Sequence, residues 1–97
     1  MMKAVLIIHN ESIDSDINAA LEKLGIKYYS KFTNMLGKGA VSEPHLNTDV
    51  WPGLNVGTLI ITENSDAAKL MDKIRELRQM LGSEGVKAFA WPIEDVT

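Results

Sequence analysis

Apolar and polar positions along this chain switch between two periods, and the switches mark its elements. Lys3 to His9 (KAVLIIH) is a continuous apolar run rich in β-branched residues, which reads as a buried strand. Ser12 or Asp14 is placed to cap a helix, and Ile13, Ile17, Ala20, Leu21 and Leu24 then recur at helical spacing as one apolar stripe. Gly25 is suited to end that helix, because glycine adopts a left-handed cap at little cost. Ile26 to Leu36 (IKYYSKFTNML) predicts a second strand, with Ile26, Tyr28 and Phe32 on one face and Lys27, Tyr29, Lys31 and Thr33 on the other. Leu54 to Thr62 predicts a third, in which Gly57 marks a bulge or a close backbone approach. Asn64 or Ser65 would cap a second helix, with Asp66 favourable at its positive end. Its stripe is Ala67, Leu70, Met71, Ile74, Leu77 and Leu81, its solvated side carries Lys69, Asp72, Lys73, Glu76 and Gln79, and Gly82 stops it. Val86 to Trp91 predicts a fourth strand, ended by Pro92, which has no N–H to donate.

The order is βαββαβ over a single domain, residues 1–97. A split βαβ arrangement with right-handed crossovers predicts an α+β, ferredoxin-like fold: a four-stranded antiparallel sheet with both helices on one face. The second face of that sheet should then alternate with polar residues, and it does not. Val5 and Ile7 point one way, but Ala4, Leu6 and Ile8 point the other; Leu59 and Ile61 oppose Ile60; Phe89 and Trp91 oppose Val86, Ala88 and Ala90. Something must cover this face. Another copy of the chain is the favoured cover, and the alternative is the long loop between the second and third strands.

Composition narrows the partners. The formal net charge is −3, which argues against nucleic acid, since phosphate backbones reward clustered Lys and Arg. The chain contains no cysteine, which removes disulfide and thiolate chemistry. The apolar run Ala4 to Ile8 is far short of a membrane span and nothing resembles a signal peptide, so a cytoplasmic protein without membrane insertion is expected. A domain this short buries only roughly 60–65% of its unfolded surface, so its stability alone should be modest.

The segment Gly37 to Gly53 (GKGAVSEPHLNTDVWPG) has neither helical nor strand period. Long loops of this kind are uncommon in compact domains and are often functional. Gly37-Lys38-Gly39 could form an anion-binding turn, in which N–H groups and an ammonium converge on a phosphate or carboxylate; it could equally be a hinge. It lacks the glycine spacing and following hydroxyl of a Walker motif. Glu43, His45 and Asp49 supply one imidazole and two carboxylates, but their spacing fits no strong metal motif, and a solvated loop is the better reading. Trp51, in Trp51-Pro52-Gly53, is either an aromatic platform or an anchor for the returning loop. Trp91 is expected at a subunit interface or in the core. His9 could join a site across a subunit boundary, although a satisfied strand-end residue is the commoner outcome. No nucleophile and base stand in a recognisable arrangement, so no enzyme activity is expected.

The stretch Lys87 to Val96 (KAFAWPIEDV) resembles the last strand of the P-II signalling family, a run close to Gly-Lys-Ile-Phe-Val-x-Pro-Val-Glu-Asp, at Lys87, Phe89, Pro92, Glu94 and Asp95. Leu36-Gly37-Lys38-Gly39 is similar to that family's glycine-containing lead into its long T-loop, and the element order agrees over nearly the whole chain. The resemblance implies a homotrimer of ferredoxin-like subunits that binds adenine nucleotides in clefts between subunits and contacts partner proteins through mobile loops. It assigns Gly37, Lys38, Gly39, Gly85 and Lys87 to ligand binding, and Glu43, His45, Asp49 and Trp51 to partner contact. The sequence departs from the family at several points, among them three in the regions that would meet a nucleotide. Ala40 and Val41 follow Gly39, Val86 replaces the glycine before the matching lysine, and the nucleotide loop is reduced to Gly82-Ser83-Glu84-Gly85. These changes remove cations and backbone donors that a triphosphate would use. The expectation is therefore a regulatory trimer with a small anionic effector, an adenine nucleotide being one candidate, and a transporter or enzyme as the regulated protein. The alternatives are a metal-binding trimer of CutA-like architecture and an interaction module without a ligand.

Overall fold

The computed structural model describes residues 1–36, 54–81 and 85–97. Its elements are β1 (Met2–Asn10), a short 3₁₀ turn (Glu11–Ile13), α1 (Asp14–Lys23), β2 (Ser30–Met35), β3 (Asn55–Glu63), α2 (Asn64–Leu81) and β4 (Val86–Pro92). The strands form one antiparallel sheet in the order β2-β3-β1-β4. This is the expected ferredoxin-like arrangement, with each helix crossing over one intervening strand.

The core lies between the helices and one sheet face. Val5 and Ile7 of β1, Ile60 of β3 and Val86 of β4 meet Ile17, Ala20 and Leu21 of α1 and Ala67, Leu70, Ile74 and Leu77 of α2. Each aliphatic side chain buried here contributes roughly 1.5–3 kcal/mol of transfer free energy, and together they offset the entropy of ordering the chain. Both helical stripes read from the sequence face this layer, except that Leu81 is exposed at the end of α2. The stop expected at Gly82 falls outside the described residues.

The ends of α1 differ in instructive ways. Its N-terminus is not capped by Ser12 or Asp14. Asn10 accepts the Ser12 N–H at 2.9 Å across the 3₁₀ turn, Ile13 holds the cap position without a side-chain bond, and the Asp14 carboxylate is engaged elsewhere. The C-terminus is as expected. Gly25 has φ +74, its N–H donates to Glu22 O at 3.0 Å, and the Ile26 N–H reaches back to Leu21 O at 2.9 Å. This pair of bonds is a Schellman motif. An added Cβ at Gly25 would meet nothing within 4 Å, so the cost of Gly25→Ala is conformational. It should destabilise the fold by about 1 kcal/mol, read as a lower chemical-denaturation midpoint at unchanged slope.

The cap also explains why the second strand is shorter than its sequence pattern. Ile26 belongs to the helix terminus and packs on the core, and the ladder begins only at Ser30, opposite Leu59. Ile26 and Phe32 therefore do not share a face, because the strand period does not run through 26–29. Further along, Phe32 pairs with Gly57 and Met35 with Asn55, so β2 carries one extra residue. Asn34, at φ +59, occupies that bulge. Gly57 is not itself bulged. A Cβ on it would lie 2.9 Å from the Met35 Sδ, so glycine here admits the close approach of the thioether.

Candidate functional site

Two features of this fold concentrate chemistry: the sheet face opposite the helices, and the sheet end where β1 finishes. On the open face Leu6 and Ile8 of β1 adjoin Leu59 and Ile61 of β3, flanked by Phe32 of β2 and by Phe89 and Trp91 of β4. Phe32 is 51% exposed, Phe89 45%, Trp91 42% and Ile61 39%, so within the described residues this apolar surface is uncovered. Trp91 lies on this face opposite Ala4, not in the core. A shallow groove of about 370 Å³ runs along its β2 side, between Leu59, Ile61 and the segment Lys27 to Ser30.

At the sheet end, β1 holds the starts of its two neighbours. The Asn10 N–H donates to Gly85 O at 2.9 Å, and the Glu11 N–H donates to Leu54 O at 2.8 Å. Gly85 and Lys87 thus open β4 at one edge of the sheet, while Met35 and Leu36 end β2 at the other. Three strand spacings, about 14 Å, separate the two edges. Lys87 is exposed and projects on the open-face side of β4, with its ammonium 5.8 Å from the Phe89 ring centroid. No carboxylate among the described residues pairs with it. A cation so placed fits a phosphate or carboxylate. Gly85 makes no such demand, since a Cβ there would only touch Ile13 Cδ1 at 3.8 Å. The other residues read as site candidates, Gly37, Lys38, Gly39, Glu43, His45, Asp49 and Trp51, lie outside the described residues. Among the described residues no three His, Cys, Asp or Glu side chains stand close enough to hold a metal ion. No helix among them is long and apolar enough to cross a membrane.

Beneath the same sheet end, on the helix side, is a polar cluster that sequence reasoning did not assemble. His9 follows Val5 and Ile7 on the core face, and its side chain is fully buried. Its Nδ1 lies 3.1 Å from Asn10 O, an atom that can only accept, so Nδ1 carries the proton. Nε2 lies 3.3 Å from the Thr58 hydroxyl and 3.5 Å from Asp14 Oδ1. Asp14 in turn receives the Lys31 ammonium at 2.5 Å, and Lys31 also donates to Asn18 Oδ1 at 2.7 Å. The His9 pKa is lowered from its ordinary value, first by burial and then by Lys31; Asn10 O and Asp14 pull the other way. His9 is therefore a satisfied interior residue within its own subunit. The available signal was that Lys31 sits on the core-facing side of an edge strand, where an isolated cation requires an anion.

No protein-family model and no curated protein sequence matches this chain. Solved structures do. The apo form of CPII, a nitrogen regulatory PII-like protein from Thiomonas intermedia K12, superposes with a TM-score of 0.72 at 14% identity, over 95% of this chain and 88% of that one. The same protein bound to ADP and bicarbonate gives 0.68 at 15% identity, over 97% and 89%. A putative PII-like signalling protein from Thermus thermophilus gives 0.68 at 20% identity, over 93% and 83%. A DUF3240 family protein from Shewanella baltica gives 0.66 at 15% identity, over 99% and 93%. The chain has the fold of the PII-like proteins, as the resemblance at Lys87–Val96 implied.

Proposed function

We propose that this chain is a PII-like regulatory protein, without enzymatic activity, that works as a homotrimer. Copies cover one another's open sheet faces, and a small anionic effector is held in the clefts between them. The effector site draws on Lys87 and Gly85 from one subunit and on Gly37, Lys38 and Gly39, which follow the end of β2, from another. Residues 40–52, with Glu43, His45, Asp49 and Trp51, contact the regulated partner, a transporter or an enzyme. The observation that carries this reading is the placement of Lys87 and Leu36 at opposite edges of one sheet end. A ligand of nucleotide size reaches both groups most readily where the β4 edge of one copy meets the β2 edge of the next.

The PII-like neighbour crystallised with ADP and bicarbonate makes an adenine nucleotide, alone or with bicarbonate, the first effector to test. Isothermal titration of ATP, ADP, AMP and cyclic AMP, each with and without bicarbonate, should give saturable heat for at least one of them. Lys87→Ala should weaken that binding by about 10- to 100-fold, the worth of one charge-assisted hydrogen bond. Silence across the panel would remove the nucleotide from the reading. An unchanged affinity in Lys87→Ala would remove Lys87 from the site.

A further inference from the structure

We infer that His9, Asp14 and Lys31 form a proton-responsive latch that fastens edge strand β2 to the start of α1, closed while His9 is neutral and loosened when it takes up a proton. The latch lies within one subunit and requires no effector.

β2 has little else to hold it to the helix layer. Apart from Lys31 and Met35 its residues are exposed, and Met35 lies against Gly57 on the open face. Lys31 is the β2 side chain that hydrogen-bonds to α1 among the described residues, through Asp14 and Asn18. In the neutral state every member of the cluster is satisfied: Nδ1–H donates to Asn10 O, the Thr58 hydroxyl donates to Nε2, and Asp14 serves Lys31. A proton on Nε2 breaks this pattern. Nε2 becomes a donor, the Thr58 hydroxyl must turn its hydrogen away, and a second cation then competes with Lys31 for the same Asp14 oxygen.

Among the described residues no other element offers compensation. Asp14 from α1 and Lys31 from β2 are the charges that act on His9 among the described residues. Its ladder partners are Val56 on β3 and Val86 on β4, the buried residues of α2 (Ala67, Leu70, Ile74 and Leu77) are apolar, and the half-buried Arg78 of α2 is not among the charges that act on His9. A charge entering this position is poorly solvated, and the local response open to the structure is release of Lys31 and its strand.

The sign is fixed by burial. The folded state holds His9 neutral, so the unfolded or opened state takes up the proton first. The stabilisation is complete above about pH 6.5, the ordinary histidine value, and is lost as pH falls below it.

The test combines ring nitrogen NMR with amide exchange on the full chain. At pH 7 the His9 ring should show a protonated Nδ1 and a bare Nε2, and it should titrate below the exposed range; the second histidine is assigned from His45→Ala. Between pH 7 and pH 5.5, protection factors for 31–35 should fall about tenfold relative to those of β1 and β3, and His9→Gln should abolish that difference. If His9→Gln does not fold, the ring titration decides: Lys31→Met should raise the His9 pKa and Asp14→Asn should lower it. A His9 titration indifferent to both changes, or equal loss of protection in all strands, would overturn the latch.

Discussion

Leu59→Asp is expected to turn an assembled protein into monomers. Leu59 sits on central strand β3, opposite Leu6 on β1, in the middle of the apolar face that the described residues leave uncovered. It is half-buried in the isolated subunit, so the substitution leaves the folded monomer's core intact. In an assembly that covers the face, each copy would have to bury an unpaired carboxylate. The effective penalty is several kcal/mol per ion, and every 1.4 kcal/mol is tenfold in an association constant. Sedimentation at micromolar concentration should show the wild type larger than one subunit and Leu59→Asp as a single subunit with unchanged far-ultraviolet dichroism. A charge reversal on the exposed side of α2, Lys69→Asp, should alter neither. A wild type that sediments as a monomer would remove the assembly, and with it the intersubunit cleft on which the proposed effector site depends.

Much of this fold was legible because its signals are local. Alternation in β1 and β3 separated the two sheet faces correctly: Val5, Ile7 and Ile60 are in the core, while Leu6, Ile8, Leu59 and Ile61 face outward. Gly25 closed α1 through a conformation that glycine adopts readily. What escaped notice depended on tertiary contacts. Asp14 read as a helix cap because its position in sequence allows it, but Lys31 lies 17 residues away and claims the carboxylate once β2 is placed beside β3. With Asp14 taken, Asn10 supplies the turn that leads into the helix. The second strand was read as too long because Ile26 is apolar for a reason that belongs to the preceding helix, its packing against the core after the cap.

The candidate site was legible in the same partial way. Lys87 was singled out by resemblance, and the structure shows a cation without a carboxylate partner among the described residues at the sheet end where β4 begins. Gly85 was singled out alongside it, yet its surroundings would admit a side chain. Its place at the site therefore rests on its position, held by Asn10, rather than on any steric need for glycine. Resemblance picks out residues by type and order, and only geometry distinguishes a glycine that is required from one that is merely present.

Two neighbouring isoleucines separate folding from assembly. Ile7 is fully buried in the core, while Ile8 is half-buried on the open face, and both stand on the same central strand. Ile7→Ala leaves a hole among close-packed side chains and should cost about 2–5 kcal/mol, on the order seen for such truncations. In a domain of this length 1 kcal/mol moves the melting temperature by about 4–8 °C, so a loss of more than about 10 °C is expected at every protein concentration. Ile8→Ala removes the same atoms from the face that a second copy is proposed to seal. If copies cover it, the wild type gains stability with concentration by mass action, and Ile8→Ala should reduce that gain while matching the wild type closely when dilute. Thermal unfolding of the three proteins across a hundredfold concentration range would resolve the two effects. Parallel losses for Ile7→Ala and Ile8→Ala, without dependence on concentration, would mean that the second face is sealed within the chain itself.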